Sequence, residues 1–179
     1  LDSLFLSRGP DDSGLAFVLE PVAVALDLDD LGVVEQTVKH RGGEYTVAGE
    51  SLVLTQAVSN WPVCSPFRAM LMTGRHLFSL KGNGESIPPD HALLPETLRQ
   101  AGYTTFGTGK WHNGKASHAR CFTDGDRIFF GGMSDHFKVP LRRFDPSGEY
   151  PDEEIYYEEK KHSSDLFSGA AIDFLRGLE

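Results

Sequence analysis

The sequence predicts an α/β fold, in which helices pack on a β-sheet, and three stretches indicate this class. Residues 22–26 form a short apolar run with β-branched side chains, as in a buried strand. Residues 94–114 read in the order helix, strand and glycine-rich loop, which is the order of an α/β unit. Residues 164–178 carry apolar side chains at helical spacing, which gives a face suited to packing on a sheet. A further strand is expected over residues 51–58.

Length, composition and charge restrict the function. The chain has 179 residues, enough for one domain with a real core, and its 40% apolar and 24% charged residues are typical of a soluble globular protein. A formal net charge of −9 argues against sequence-independent binding to nucleic acid. No apolar run reaches the ~20 residues of a membrane span. Two cysteines do not make a disulfide framework, and composition leaves the compartment open.

The N-terminal segment, residues 1–20, is poorly readable. Its turn-forming residues cluster over 7–14, so we expect a loop or a loose end there. No secretory signal with a basic start and a short apolar core is present. Because the chain begins with Leu1 rather than methionine, a preceding targeting segment stays open.

Acidic residues follow the first predicted strand. Asp27, Asp29 and Asp30 come directly after the apolar run. The C-terminal end of a buried strand is where open α/β sheets bind their ligands. Paired carboxylates are the usual oxygen ligands of Ca²⁺ or Mg²⁺. A solvated turn explains the same residues, and without further context it is the simpler interpretation.

A short helix with marked ends is predicted around Cys64. Ser65 suits the N-cap and Pro66 the first helical position, while Gly74 suits the left-handed residue that ends a helix. Cys64 is therefore expected just outside the N-terminus, where unpaired N–H groups and the helix dipole favour negative charge. Arg68 follows four residues later. A cysteine, a cation and a helix N-terminus together predict an anion-binding reactive site.

The next predicted helix begins at Pro95 and ends at Gly102. A strand over residues 103–106 then leads into a glycine loop over residues 107–114. Three apolar residues are expected on the buried face of the helix, Leu94, Leu98 and Ala101.

Within the glycine loop, Lys110 and His112 are candidate site residues. Glycines let the backbone approach an anion closely, the lysine supplies positive charge, and the histidine exchanges protons near neutral pH. Taken alone, two exposed loop residues are the simpler interpretation.

The remainder of the chain is predicted to be mainly structural. Residues 115–150, rich in aromatic residues and glycine, are expected to form a packed irregular loop beside the site. Within them, Cys121 is expected to be a buried or idle thiol, and Asp135 and His136 to be structural. The charged run over residues 152–161 is expected to be solvated. The last helix, residues 164–178, is predicted to pack through Leu166, Phe167, Ala170, Ala171, Phe174, Leu175 and Leu178.

Three of these stretches together resemble the type I sulfatases. Cys64-Ser65-Pro66-Phe67-Arg68, followed by Thr73-Gly74-Arg75, resembles the first signature of that family, although Phe67 stands where a small residue is more common. Gly102-Tyr103-Thr104 with Gly109-Lys110-Trp111-His112 matches the second signature. Asp29-Asp30-Leu31-Gly32 resembles the first metal-binding segment. Motifs in the same order, at the family's approximate separation, are far more specific than any one of them.

The resemblance covers roughly residues 22–178 and is strongest over 61–114. It implies an alkaline-phosphatase-like α/β fold with a mixed sheet flanked by helices. Residues 21–179 are then the N-terminal portion of a sulfatase catalytic domain, truncated after the last predicted helix. A periplasmic or secreted location is common in the family.

The resemblance also implies a reaction. Cys64 is oxidised to formylglycine by a formylglycine-generating or equivalent maturation enzyme, and the aldehyde hydrates to a gem-diol. One hydroxyl attacks sulfur and displaces the alcohol, and the other drives elimination of sulfate. Asp29 and Asp30, with Asp27 a weaker candidate, hold a Ca²⁺ or Mg²⁺ ion that polarises a sulfate oxygen.

Three further residues take roles by the same resemblance. Arg68 steadies the gem-diol and the metal-binding carboxylates, and Lys110 neutralises charge on the sulfate oxygens. His112 bonds the diol and assists elimination. The substrate is a small-molecule or carbohydrate sulfate ester.

Family members carry further metal ligands, another histidine and another lysine later in the chain. Two aspartates alone leave a divalent cation mostly hydrated and weakly held. We therefore expect the parent protein to be a sulfatase and this chain by itself to be inactive or nearly so. We also expect it to be marginally soluble, because part of its sheet lacks partners.

Three alternatives stay open. An enzyme of the same architecture could act on phosphate or phosphonate esters. A non-catalytic fragment could keep Cys64 as a thiol. A cysteine hydrolase using Cys64 with His112 is disfavoured, because no triad-like context surrounds the two residues.

Overall fold

The computed structural model describes residues 3–8, 15–19, 39–40, 43–44, 58–80 and 82–178. Contacts divide the chain into two compact units, one of residues 1–22 with 60–179 and one of residues 23–59. In the second unit, two short strands, β3 (Lys39–His40) and β4 (Gly43–Glu44), form an antiparallel pair. Three sequence predictions lie outside the described residues, except for Val58: the strand over 22–26, the acidic residues Asp27, Asp29 and Asp30, and the strand over 51–58.

The first unit is built on a four-stranded mixed sheet in the order β2-β1-β5-β6. Strand β1 pairs antiparallel with β2 and with β5, whereas β5 and β6 are parallel. A parallel pair needs a crossover connection, and the segment after β5 provides it with helix α3 (Lys115–Cys121). The predicted α/β class is therefore confirmed. The four strands are β1 (Ser3–Arg8), β2 (Leu15–Leu19), β5 (Thr104–Lys110) and β6 (Asp124–Phe129).

The loop or loose end expected over residues 7–14 was wrong for Ser7 and Arg8, and residues 9–14 lie outside the described residues. No strand was predicted for residues 3–8 and 15–19. They form β1 and β2, and β1 pairs with β5 along its whole length, from Ser3 opposite Gly109 to Arg8 opposite Thr104. The turn-forming residues dominate the local pattern, whereas β1 is set by pairing with residues of β5 about a hundred positions away.

In the part of this unit that the structure describes, four α-helices accompany the strands: α1 (Cys64–Thr73), α2 (Leu94–Gln100), α3 (Lys115–Cys121) and α4 (Ser163–Arg176). Helix α4 contacts β1, β5 and β6, and the ring of Phe174 stacks on Phe106 of β5 with centroids 4.4 Å apart. The predicted C-terminal helix is confirmed. Its buried residues are Leu166, Phe167, Ala170 and Ala171, with Ser163 at its start.

Gly107 follows Phe106 in β5 and lies on the opposite face of the sheet from Phe106. A side chain at this position would place its Cβ 2.8 Å from His118 Nε2 and 2.8 Å from Phe122 Cδ2. Because successive residues of a strand point to opposite faces, helices pack on both sides of β5.

The predicted glycine loop over residues 107–114 and the irregular loop over 115–150 were partly wrong. Strand β5 continues through Gly107 to Lys110, with a register irregularity at Gly109, whose φ is 80°. Residues 115–150 contain α3 and β6. The glycines serve close packing and a bulge inside a strand rather than a loop.

Helix α2 runs to Gln100, with Ala101 as its C-cap, and is followed by Gly102, whose φ of 90° is the left-handed conformation predicted to stop it. Its predicted buried face was wrong, because Leu94 is 41% exposed and Ala101 is exposed. The fully buried residue is Leu93, which precedes the helix and whose N–H donates to Glu96 Oε2 at 3.3 Å. Since the helix is short, the residue that anchors its N-terminus decides which side faces the core.

Among the described residues, no helix combines the length and the apolar character that crossing a membrane would need.

Candidate active site

Helix α1 begins at Cys64. The first helical hydrogen bond runs from Phe67 N–H to Val63 O at 3.1 Å, which makes Val63 the N-cap. The prediction that Cys64 lies outside the helix was therefore wrong, because the thiol belongs to the first helical residue. Pro66 is tolerated at the third position, since N–H groups of the first turn have no partner within the helix. Gly74 ends the helix with φ 63°, as predicted.

Ser65 was predicted as the N-cap, and this too was wrong. It is the second helical residue and only 4% exposed. Its hydroxyl oxygen makes no hydrogen bond within the part of the chain that the structure describes. The helix begins two residues earlier than the Ser-Pro pair suggests because the Val63 carbonyl accepts the first bond.

Cys64 and His112 meet at this helix end, although 48 positions separate them. The Cys64 sulfur lies 3.3 Å from His112 Nδ1, within hydrogen-bonding distance for sulfur. Cys64 is half-buried, and so is His112. His112 lies just after β5 with φ 58°, a left-handed conformation that turns its ring away from the line of the strand. The family resemblance implied that these two residues share one site, although a cysteine hydrolase using them was disfavoured, and the structure brings them into contact.

Arg68 and Lys110 are fixed beside this pair by backbone carbonyls. Arg68 is 5% exposed, and its Nη1 donates to Lys110 O at 2.7 Å. Lys110 Nζ in turn donates to Gly132 O at 2.5 Å. The structure therefore brings four predicted site residues together: Cys64, Arg68, Lys110 and His112.

The environment lowers the pKa of His112 below the ordinary value of 6.5. Burial is the main cause, followed by the positive charges of Lys110 and then Arg68, whereas Glu85 acts in the opposite direction. The imidazole is therefore neutral at pH 7, and a neutral ring can accept a proton from a group at position 64.

Asn113 holds this corner together, and sequence reasoning missed it. Its side chain is fully buried, and Nδ2 donates to Ser65 O at 2.9 Å and to Gly84 O. Its own carbonyl accepts from Ile87 N–H at 3.2 Å. One residue thus ties α1, the loop before α2 and the turn after β5. The signal in the sequence that could have identified Asn113 was an amide side chain directly after His112.

Gly132 is a second residue that sequence reasoning missed. A Cβ at this position would lie 3.0 Å from His112 Cε1 and 3.2 Å from Nε2. The absence of a side chain lets the backbone cover the ring while the Gly132 carbonyl holds Lys110.

Within the described ranges, no three His, Cys, Asp or Glu side chains are grouped so as to hold a metal ion. Asp29 and Asp30, the predicted ligands, and Asp27 lie outside those ranges. Cys121 is fully buried, and burial raises its pKa, so the predicted buried thiol is confirmed.

Comparison with known proteins gives one family. The Sulfatase family model matches residues 42–175, which is more than half of the chain. The match begins after the two predicted metal-binding aspartates and includes all four site residues that meet at α1. No solved structure matches the chain.

Several curated relatives are sulfatases. The rat N-acetylgalactosamine-6-sulfatase is 29% identical over 82% of this chain and 33% of its own length. The human protein of the same name is 28% identical with the same coverage. Human arylsulfatase D is 31% identical over 61% of this chain and 20% of its own length. The chain thus spans about a third of the length of the N-acetylgalactosamine-6-sulfatases that it matches.

Proposed function

Because the chain belongs to the sulfatase family, we propose that it carries the nucleophile side of a sulfate-ester hydrolase site centred on Cys64. The observation that supports this most is the 3.3 Å contact between Cys64 Sγ and His112 Nδ1, in which two distant sequence motifs meet. We propose the alkaline-phosphatase-like arrangement of the sheet as part of the same assignment.

The proposed nucleophile is a modified Cys64. Oxidation by a formylglycine-generating or equivalent maturation enzyme supplies a hydrated aldehyde, with one hydroxyl to attack sulfur and another to release sulfate. His112, kept neutral by burial and by its cationic neighbours, accepts a proton from the group at position 64.

The cationic residues have electrostatic tasks. Arg68 is almost fully buried at the start of α1, where its charge favours an anion beside residue 64. Lys110 carries an ammonium group next to His112 and is proposed to bind the sulfate oxygens. Positive charge held in place before the reaction stabilises negative charge that develops during it.

The divalent cation, Ca²⁺ or Mg²⁺, is assigned to Asp29 and Asp30 by family resemblance. It would polarise a sulfate oxygen. The residues that meet at α1 supply imidazole and cationic groups rather than a carboxylate cluster, so they do not form a cation site by themselves.

The first test asks whether Cys64 is modified. The chain is produced with and without a formylglycine-generating enzyme, and the peptide containing residue 64 is analysed by mass spectrometry and by hydrazide labelling. We expect an aldehyde in place of the thiol. The C64A variant is the control and should not be labelled. An intact thiol, under conditions that convert a known substrate of the maturation enzyme, contradicts the proposal.

The ester class is tested next, on the longer protein if this chain is a piece of it. Sulfate, phosphate and phosphonate monoesters are presented side by side, and we propose preferential cleavage of the sulfate ester, with small-molecule and carbohydrate sulfates as substrates. A preference for phosphorus esters contradicts the sulfatase assignment and supports the related hydrolase.

A thiol-dependent hydrolase is the second candidate, and the Cys64–His112 contact is the observation that favours it. A neutral imidazole within reach of a thiol is the arrangement that activates a cysteine nucleophile. Alkylation distinguishes the thiol-dependent hydrolase from the formylglycine-dependent one. Iodoacetamide abolishes activity that depends on the Cys64 thiol, whereas activity that depends on formylglycine survives it.

A further inference from the structure

The chain contains three asparagines, Asn60, Asn83 and Asn113, and the last two precede a glycine. An asparagine side chain loses ammonia when the backbone nitrogen of the next residue attacks its amide carbon. A following glycine favours this attack, because the absence of a Cβ leaves the nitrogen unhindered and the backbone free to rotate. Trp61 follows Asn60, and its bulky side chain hinders the same attack. The sequence therefore leaves Asn83 and Asn113 as candidates for deamidation.

The structure separates these two candidates by exposure. Asn113 is fully buried, and its Nδ2 donates to Ser65 O at 2.9 Å and to Gly84 O. Its amide is thus held in place and shielded from the water that the reaction needs. Asn83 is exposed. Of the three asparagines, Asn83 alone combines an exposed side chain with a following glycine.

The local geometry at Asn83 favours the attack. The Glu85 N–H donates to Asn83 Oδ1 at 3.1 Å, and this turn folds the side chain over the following backbone, towards the Gly84 nitrogen. A hydrogen bond to a carbonyl oxygen also draws electron density from its carbon, which makes the carbon a better electrophile. The Gly84 N–H has no hydrogen-bond acceptor among the described residues, so no such bond has to break before this nitrogen reacts.

We propose that Asn83 is a site of spontaneous deamidation. The Gly84 nitrogen loses its proton and forms a bond to Asn83 Cγ, while the bond from Cγ to the side-chain nitrogen breaks. Ammonia leaves with the proton, and a five-membered succinimide remains. Water then adds to one of the two succinimide carbonyls, and the C–N bond of that carbonyl breaks. The product is aspartate at position 83, or isoaspartate, in which the main chain runs through the side-chain carbons.

The isoaspartate form is expected to disturb the start of α1, because Gly84 is packed against it. A Cβ on Gly84 would lie 3.0 Å from Ala69 Cβ and 3.0 Å from Pro66 Cα. The Gly84 carbonyl also accepts a hydrogen bond from Asn113, the residue after His112. Isoaspartate lengthens the main chain by one carbon directly before this closely packed glycine. We therefore expect Gly84 to lose part of its contact with α1 and with Asn113.

The test incubates the folded chain in mildly alkaline buffer and follows deamidation by tryptic digestion and mass spectrometry. Trypsin cleaves after lysine and arginine, so the three asparagines fall in separate peptides. We expect Asn83 to react about tenfold faster than Asn60 or Asn113, a difference of about 1.4 kcal/mol in activation free energy. Labelling with a protein-isoaspartate methyltransferase identifies the isoaspartate product.

Unfolding provides a matched control within the same chain. In urea, Asn83 and Asn113 both precede glycine in a flexible and solvated backbone, so their rates should become similar, whereas Asn60 should stay slow. The N83Q variant keeps an amide at the exposed position, but its reaction needs a six-membered ring, which forms more slowly. We expect N83Q to stay unmodified at residue 83 over the same time.

The effect on α1 is measured by the rate at which iodoacetamide alkylates Cys64. The aged chain is separated by ion exchange, because deamidation replaces a neutral amide with a carboxylate. We expect the isoaspartate form to be alkylated faster than the fresh chain, since the half-buried thiol becomes more accessible. N83D carries the same charge on a main chain of ordinary length and should be alkylated more slowly than the isoaspartate form.

Two results overturn the assignment of Asn83 as a deamidation site. One is equal rates at Asn83 and Asn113 in the folded chain, and the other is no reaction at Asn83 over a time in which the unfolded chain is modified there. If the isoaspartate form is alkylated no faster than N83D, the connection to α1 is overturned instead. None of these measurements uses formylglycine, so they do not depend on the proposed reaction at Cys64.

Discussion

His112 and His118 lie six positions apart, and their surroundings give them different properties. His112 is half-buried at the end of β5, touches Cys64 and has charged neighbours. His118 lies in α3, is 1% exposed and has Nδ1 2.9 Å from the Tyr150 hydroxyl. Its ring is surrounded by aromatic side chains, those of Trp111, Phe122, Phe130, Phe144 and Tyr150.

The pKa of both histidines is lowered, but for different reasons. Burial alone lowers the pKa of His118 to about 3, whereas burial together with the charges of Lys110 and Arg68 lowers that of His112. A neutral ring sealed among aromatic residues has no access to a substrate, so its contribution is to packing. A neutral ring at the surface beside a thiol is available for proton transfer. A perturbed pKa therefore identifies a site only together with exposure and a partner.

The largest expected effect is acid destabilisation through His118. In the folded state the ring stays neutral down to about pH 3, whereas the unfolded chain protonates it below about 6.5. The unfolded state therefore binds more protons in this window, and the free energy of unfolding falls with acid by about 1.4 kcal/mol per pH unit from this group, or about 3 kcal/mol at pH 4.

The measurement is urea unfolding of the wild type and H118N between pH 7 and pH 4. Asparagine keeps a polar group that can reach the Tyr150 hydroxyl but does not titrate, so the variant should lack this part of the pH dependence. H76N, at an exposed histidine, is the control and should follow the wild type. Parallel pH profiles of the wild type and H118N would show that His118 does not supply the effect.

The second expected effect concerns the support of His112. N113L puts an apolar side chain of similar size at a fully buried position and leaves the Ser65 and Gly84 carbonyls without the Asn113 donor. The Asn113 Oδ1 has no partner among the described residues, so its removal offsets part of the cost. We expect a loss of about 1–3 kcal/mol in the free energy of unfolding.

The matched control for Asn113 is T105V, near the start of β5, which removes a buried hydroxyl that donates to Cys121 O. Both variants should be destabilised, but only N113L should also change the alkylation rate of Cys64 under conditions where the chain is folded. An unchanged rate in N113L would mean that Asn113 stabilises the fold without positioning α1 against His112.

The parts of the fold that were predicted correctly carry local signals. The apolar stripe of α4 depends on spacing within one helix, and the ends of α1 and α2 at Gly74 and Gly102 depend on left-handed backbone. Both signals are visible in the sequence without knowing which residues pack against the helices. The sulfatase signatures are equally local, and the family match includes the second one and the cysteine motif.

The parts that were missed depend on distant partners. Strand β1 is specified by β5, and the polar helix α3 is held by a face that buries Ser117, His118 and Cys121 rather than by an apolar stripe. The support of the site was missed for the same reason. Asn113 and Gly132 support the site through contacts with residues distant in sequence, and neither residue type predicts such a contact.

The substitution G132A should have the smallest effect on stability. It is also the most direct test of the contrast between the two histidines. The added methyl group would meet His112 Cε1 at 3.0 Å and Nε2 at 3.2 Å, closer than most such contacts. The ring can yield by a few tenths of an ångström because it is half-buried, so we expect a change of under about 1 kcal/mol in the free energy of unfolding. The displaced ring should hold the Cys64 thiol less well.

The readout is the rate of iodoacetamide alkylation of Cys64 as a function of pH. Cys121 stays silent because it is fully buried, so the signal belongs to Cys64. In the wild type the rate should change as His112 titrates below pH 6.5. In G132A and in H112Q, this pH-dependent change in the alkylation rate should be smaller. G169A is the matched control, since among the described residues a Cβ there meets only Arg127 Nη1, at an ordinary 3.6 Å. If G132A retained the full pH-dependent change in rate, the contact at Gly132 would not set the position of His112 against Cys64.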